Sequence, residues 1–155
     1  MDAMTKTYTP TEVEAVAAQL CAVAEHTRVM LFQGPIGAGK TTLIRTFLRQ
    51  LGVMGPIVSP TFTYVAAYST AQGCPVYHFD LYRLRTQEAF ESLGFSDYLH
   101  DPHALILIEW PAIIMPLLPY PVCMVTLDYG AHIDQRTVTI EMVETAHGTE
   151  KPPRI

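Results

Sequence analysis

Apolar positions recur along this chain in two rhythms, and the change from one to the other marks out its elements. Over residues 9 to about 26, Val13, Val16, Ala17, Leu20 and Ala24 fall three or four apart, which gathers them on one face of a helix. Thr9-Pro10-Thr11-Glu12 opens that helix with a capping hydroxyl, a proline at the first helical position and a glutamate three residues after the cap. Residues 29–33 are apolar almost throughout, the pattern of a parallel strand covered on both faces. A second helical stripe, Leu43, Ile44, Phe47, Leu48 and Leu51, runs over residues 40–51 and stops at Gly52.

Beyond it the rhythm shortens. Ser59-Pro60-Thr61 reads as an extended or turn segment because of its proline. Residues 62–69 and 76–80 read as strands, joined through Thr70-Ala71-Gln72-Gly73-Cys74-Pro75 into an antiparallel hairpin. Thr86 caps a short helix through Leu93, ended by Gly94. Residues 104–109 form a second fully apolar strand that ends on an acid. Pro111, Pro116, Pro119 and Pro121 predict an irregular loop, and residues 122–128 and 137–141 two late strands. This order predicts an α/β fold: a mixed, mostly parallel sheet flanked by helices, with one antiparallel hairpin. It predicts one domain over residues 1–144 and a polar, proline-containing, mobile tail over residues 145–155.

Composition narrows the class. With 49% hydrophobic and 16% charged residues among 155, the chain can bury a real core. Its apolar runs are strand-length, well short of the roughly 20 residues that cross a bilayer, so no membrane association is expected. Met1-Asp2-Ala3-Met4-Thr5-Lys6 lacks the charged-then-apolar pattern of a secretory signal. Cys21, Cys74 and Cys123 form no C-x-x-C pair and are odd in number. They read as small buried apolar residues in a reducing, cytoplasmic setting. The net charge of −5 excludes a global basic footprint for nucleic acid; such a role would need a local patch or a partner.

The chemistry starts where the first strand meets the second helix. There the chain reads Gly34-Pro35-Ile36-Gly37-Ala38-Gly39-Lys40-Thr41-Thr42, the P-loop pattern G-x-x-x-x-G-K-[ST] in the strand-to-helix setting it requires. Gly37 and Gly39 let the backbone close into a nest of N–H groups facing an anion. The positive end of the following helix points at the same place. Lys40 is expected to neutralise the β- and γ-phosphates, and the Thr41 hydroxyl to ligate Mg²⁺. The fold expectation therefore becomes P-loop NTPase-like.

A P-loop holds phosphate; turnover also needs a second metal-side carboxylate and a group that positions the nucleophile. Glu109 closes the apolar run 104–108, and ligands of open α/β sheets lie beyond the carboxyl ends of strands. It is the candidate metal-side acid. Asp80, in His78-Phe79-Asp80-Leu81-Tyr82-Arg83, closes another strand and is the candidate for orienting or deprotonating water. Thr61 either senses the γ-phosphate or makes local turn hydrogen bonds. His78 reads equally as a structural histidine or a site residue, and Arg83 as the partner of an acid. Trp110, the only tryptophan, directly follows Glu109; it packs in the core or reports on the site.

Taken in order, Gly-x-x-Gly-Ala-Gly-Lys-Thr-Thr, Ser-Pro-Thr-x-Thr, Tyr77 to Leu84 and Glu109-Trp110-Pro111 resemble the TsaE (YjeE) family. These are the small bacterial ATPases of tRNA threonylcarbamoyladenosine (t6A) synthesis. The likeness spans residues 29 to about 128, with Gly94 to Tyr98 and Asp128-Tyr129 also at family positions. It implies a P-loop α/β fold, ATP and Mg²⁺ as ligands, and TsaB and TsaD homologues as partners, with tRNA engaged through the complex. It also implies that TsaD performs the transfer while ATP turnover here resets the complex. By position, Lys40 and Thr41 contact phosphate and Mg²⁺, Glu109 is the second metal-side acid, Asp80 the catalytic acid, and Pro10 and Thr11 flank the adenine. One departure is visible. The family has an acid or Asn after the first P-loop glycine; this chain has Pro35 and then Ile36. Proline removes one N–H from the nest.

Two other readings compete. A small P-loop nucleoside or metabolite kinase would need an arginine-bearing lid, for which only Arg83 and Arg85 offer themselves. A nucleotide-gated binding module without turnover fits poorly with intact Asp80 and Glu109. The absence of an Asn-Lys-x-Asp guanine-reading motif favours ATP over GTP.

Overall fold

A computed structural model describes residues 3–144; the expected tail over residues 145–155 lies outside them. Among the described residues seven strands form one sheet in the order β1-β7-β6-β2-β5-β4-β3. They are β1 (Met4–Tyr8), β2 (Val29–Gln33), β3 (Val65–Ser69), β4 (Pro75–Asp80), β5 (Leu105–Glu109), β6 (Val122–Tyr129) and β7 (Arg136–Val143). The central strands β6, β2, β5 and β4 are parallel neighbours. Only β3 and β7 run against the rest, each antiparallel to its neighbours. The sheet is thus mixed and mostly parallel, flanked by helices, with β3 and β4 as the antiparallel hairpin.

Period-two alternation within the buried strands feeds two cores. Met30, Phe32, Leu107, Cys123 and Val125 face one side. There they meet Leu20 of α1 (Val13–Ala24) and Leu43 and Phe47 of α2 (Lys40–Gln50). Leu31, Phe79, Ile106, Ile108 and Met124 face the other. They meet Phe90 of α3 (Gln87–Ser92) and Leu99 of α4 (Ser96–Leu99). Parallel register brings the carboxyl ends of β2, β5 and β4 level, with Phe32 beside Glu109 and Asp80 beside Glu109.

The structure corrects several expected boundaries. The first helix begins as a 3-10 turn, Pro10–Glu12, before α1. Both the N–H and the hydroxyl of Thr9 donate to Glu12 Oε2, at 2.8 and 3.1 Å. Strand β3 starts at Val65 rather than at residue 62, because residues 61–64 form a turn in which Tyr64 has φ 66°. The proline-rich stretch is a 3-10 helix, Pro111–Leu117, and not an irregular loop. Two elements were not expected at all: the edge strand β1, paired antiparallel with β7, and the short α4. Of the cysteines only Cys123 is fully buried, its thiol pushed up to about 12 by burial; Cys21 and Cys74 are half-buried. Among the described residues no helix is long and apolar enough to cross a membrane.

Phe79, between His78 and Asp80, anchors the β4 end in the second core. Its ring lies 5.5 Å from Phe95, 5.7 Å from Tyr98 and 5.9 Å from Phe90, and it is fully buried. Phe79→Ala is therefore expected to destabilise the fold by about 3–5 kcal/mol, the range for buried aromatic truncation. Urea denaturation measures it; a loss below about 1 kcal/mol would mean that the cluster repacks around the cavity.

Candidate functional site

The P-loop bridges β2 and α2 and is held by contacts on three sides. Gly34 has φ 140°, and a Cβ there would stand 2.1 Å from the Leu127 carbonyl oxygen of β6, so only glycine lets the loop pass. Gly39 caps α2 in the left-handed region at φ 100°. Ala38 buries its methyl in the α1–α2 core. The Pro35 carbonyl accepts from Ala38 N–H at 3.2 Å, closing the turn. Tyr129 donates its hydroxyl to the Ile36 carbonyl, and Arg136 lies over the Tyr129 ring at 5.0 Å.

Lys40 is turned back into the loop. Its Nζ donates to the Gly34 carbonyl at 2.6 Å and the Pro35 carbonyl at 3.0 Å, and sits 4.1 Å above the Trp110 ring. Burial pushes its ammonium below the usual lysine range, opposed by Glu109 and then Asp80. A cation so desolvated gains more from an incoming phosphate than one in water.

The acids stand at the neighbouring strand ends. Glu109, 2% exposed, accepts from the Thr41 hydroxyl at 3.0 Å on Oε2 and 3.3 Å on Oε1. His78 Nε2 lies 2.8 Å from Glu109 Oε1. Asp80 accepts from Tyr82 N–H at 3.0 Å on Oδ1 and from the Thr61 hydroxyl at 3.1 Å on Oδ2. Ser59 and Thr61 share a hydroxyl contact at 2.9 Å, so Thr61 makes a local turn bond and an acid contact together. Trp110 adopts a left-handed backbone (φ 58°) that turns the chain out of β5, with Tyr82 4.9 Å away.

The structure thus gathers Lys40, Thr41, Asp80, Glu109, Thr61 and Trp110 around the loop Gly34 to Thr42. Pro10 and Thr11 lie two and three residues after Tyr8, whose hydroxyl would lie 3.8 Å from a Cβ placed on Gly39. Both are exposed. Among the described residues Arg83 pairs with no acid; its guanidinium lies 4.6 Å over the exposed Phe62 ring. Sequence reasoning missed Tyr129 and the Leu127 carbonyl as loop supports. The family-like Asp128-Tyr129 pair was the available signal. A concavity of about 440 Å³ lies elsewhere, where β2 and β5 begin, among Cys21, Arg28, Gln50, Cys74 and His103. It has no convergent acids or phosphate loop, so the strand-end cluster is the better site. Among the described residues no three His, Cys, Asp or Glu side chains enclose a metal. The Thr41 hydroxyl and Glu109 carboxylate are hard oxygen donors, which suit Mg²⁺ because that ion keeps waters and takes its other ligands from phosphates.

A family model described as threonylcarbamoyl adenosine biosynthesis protein TsaE matches residues 7–138. The chain belongs to the TsaE family. Its relatives include the tRNA threonylcarbamoyladenosine biosynthesis protein TsaE of Bacillus subtilis, 33% identical over 89% of this chain and 84% of that one. The protein of that name from Haemophilus influenzae is 42% identical over 65% of this chain, and the match spans 63% of that relative's length. The corresponding protein of Synechocystis is 45% identical over 59% of this chain and 58% of its own. Among solved structures, Bacillus subtilis YdiB superposes with a TM-score of 0.68 at 28% identity, over 90% of this chain and 84% of that one.

Gly34 tests how tightly this TsaE-family loop is confined. Gly34→Ala and Gly73→Ala both place a side chain at positive φ, but only the former meets backbone; Gly73 faces open space. The Gly73 variant should lose about 1–2 kcal/mol, the cost of the left-handed conformation alone. The Gly34 variant should lose clearly more, read by chemical denaturation. Equal losses would show that the β6 carbonyl does not confine the loop.

Proposed function

We propose that this TsaE-family chain binds Mg-ATP in its P-loop and hydrolyses it, and that turnover drives cycling of a TsaB–TsaD complex in tRNA threonylcarbamoyladenosine modification. The observation that carries the catalytic reading is the Thr41–Glu109 contact at 3.0 Å. It joins a P-loop hydroxyl to a strand-end acid, with Asp80 in register beside it. In this reading Gly34 to Thr42 cradle the phosphates, with the backbone N–H groups from Gly37 onward as donors, and Lys40 exchanges its loop carbonyls for phosphate oxygens. Thr41 and Glu109 would hold Mg²⁺, which supplies charge neutralisation across the transferring phosphoryl group. Asp80, tied down by Tyr82 N–H and Thr61, orients the attacking water and accepts its proton. Pro10 and Thr11 flank the base. The family membership supports the pathway, and the names of the relatives supply it. The net charge of −5 favours tRNA engagement through the partners, in the cytoplasm, over direct binding. Of the two arginines on which a kinase lid would depend, Arg83 and Arg85, the first is occupied with Phe62 and gives that alternative no support.

Phosphate release should be stimulated by TsaB and TsaD homologues together. Stimulation by a small phosphate acceptor instead would decide for a metabolite kinase. Trp110 gives a direct binding signal: Lys40 stacks on its ring at 4.1 Å, so movement of the ammonium onto phosphate should change the emission. A flat titration with ATP shown by calorimetry to be bound would remove Trp110 from the site.

Asp80→Asn separates binding from chemistry. Asparagine can keep the Tyr82 N–H bond on its oxygen and turn its amide toward Thr61, but it cannot take a proton. Mg-ATP affinity should stay within a few-fold of the parent while hydrolysis falls by roughly 10²–10⁴, the span for a positioned acid–base group. Hydrolysis at the parental rate would leave water positioning to Thr61 or to a partner's side chain.

A further inference from the structure

His78 is as buried as any core residue, yet its hydrogen bonding is not that of a packing residue. The ring is 1% exposed and sits on β4 between Val76 and Asp80, on the face that α1 and α2 cover. Nε2 meets Glu109 Oε1 at 2.8 Å, whereas Nδ1 is buried with no partner among the described residues. An ionised carboxylate only accepts, so Nε2 carries a proton towards Glu109, and Nδ1 is left without a partner. An unpaired buried nitrogen is unfavourable, and an apolar side chain of similar volume would avoid it. The contact with Glu109 is what the histidine does that such a side chain would not.

That contact divides the carboxylate. Oε1 is held by His78 at 2.8 Å, and Oε2 is the oxygen nearer the first turn of α2, 3.0 Å from the Thr41 hydroxyl against 3.3 Å for Oε1. Without the imidazole only the Thr41 hydroxyl, which reaches both oxygens, would hold the carboxylate, and neither oxygen would be singled out for the P-loop side. Mg²⁺ demands near-ideal geometry and dehydrates reluctantly, so the direction of its protein ligands matters. Groups that orient metal ligands from behind typically set metal affinity by 10–100-fold.

We propose that His78 is a positioning residue for the metal step: its Nε2–H fixes the Glu109 carboxylate so that Oε2 and Thr41 face one cation. The inference rests on the Mg-ATP reading of the site and adds to it a residue that touches neither metal nor nucleotide. The test is the metal dependence of ATP binding in the whole chain, by calorimetry with EDTA and with Mg²⁺, and by Mn²⁺ electron paramagnetic resonance with ATP present. His78→Met keeps volume and removes the donor. It should bind metal-free ATP within about two-fold of the parent, while its Mg²⁺ and Mn²⁺ requirement rises by roughly 10–100-fold. His78→Gln, whose amide nitrogen can stand where Nε2 stands, should recover most of the difference. His78→Asn is too short to reach Glu109; it should behave like His78→Met and replaces it should the methionine variant not fold. Parental metal dependence in the variants without a reaching donor overturns the proposal. So does equal weakening with and without metal, or failure of glutamine to rescue. A parent whose ATP binding ignores Mg²⁺ overturns the Mg-ATP reading itself, which distinguishes the two failures.

Discussion

Parallel pairing of β2 with β5 and of β5 with β4 is the constraint on which the site depends. Side chains repeat every second residue along a strand, so a slip of one residue in either ladder would send an acid to the opposite face. The register that sets Phe32 beside Glu109 and Glu109 beside Asp80 therefore decides more than sheet geometry. It puts the start of the P-loop, one acid and a second acid side by side at one edge. The apolar runs of β2 and β5 enforce it, because each is buried on both faces and has no alternative pairing that keeps its side chains covered. Helix α2 then lays Thr41 against Glu109, closing the group from the side.

The cluster so formed is poor in stability terms. Lys40, His78, Asp80 and Glu109 are all nearly removed from water within one small region. Desolvation of Lys40, Asp80 and Glu109 as charges, and of the His78 ring as a polar group, opposes folding, and the partners recover only part of it. The remaining cores are almost wholly apolar, with fully buried Phe32, Phe47, Phe79 and Phe90, and they can carry this load. Low exposure has a chemical benefit, since Lys40 and the acids interact with an incoming charge through a medium that screens little. Polar groups concentrated at the strand ends, against apolar packing elsewhere, are the pattern expected where local consistency yields to function.

Much of this was legible in the sequence because its signals are local. The P-loop is a contiguous motif, and Glu109 ends an apolar run that can only be a buried strand. Asp80 and Thr61 were each visible as candidates, but their bond was not, since it depends on how the segment before β3 folds back onto β4. Strand β1 was missed for a similar reason. Only Tyr8 of its five residues is buried, and its pairing with β7 reaches across almost the whole chain. The start of β3 was misread because Phe62 looks like a strand residue, yet it is 80% exposed and serves as a platform for Arg83. The prolines after Trp110 suggested irregularity, whereas Pro111 opens a 3-10 helix that needs no N–H from it. The two readings of His78 could not be separated from sequence, because only the β4–β5 register shows which group its ring faces.

Pro35 is the point where the chain leaves the pattern that the resemblance leads one to expect, and the loop geometry explains how it is accommodated. The internal bonds that shape the loop use carbonyls as acceptors: Pro35 oxygen for Ala38 N–H and for Lys40, Gly34 oxygen for Lys40, Ile36 oxygen for Tyr129. None of them needs the N–H that proline lacks. The ring also narrows the backbone freedom of the unfolded chain next to Gly34, whose own freedom, like that of Gly37 and Gly39, is costly to lose. The N–H groups from Gly37 onward remain at the start of α2, where its dipole adds to them. The substitution thus falls on the one side of the loop whose job is to hold shape, and the outward exposure of Ile36, 65%, puts the novel surface beside the site mouth rather than in the cradle.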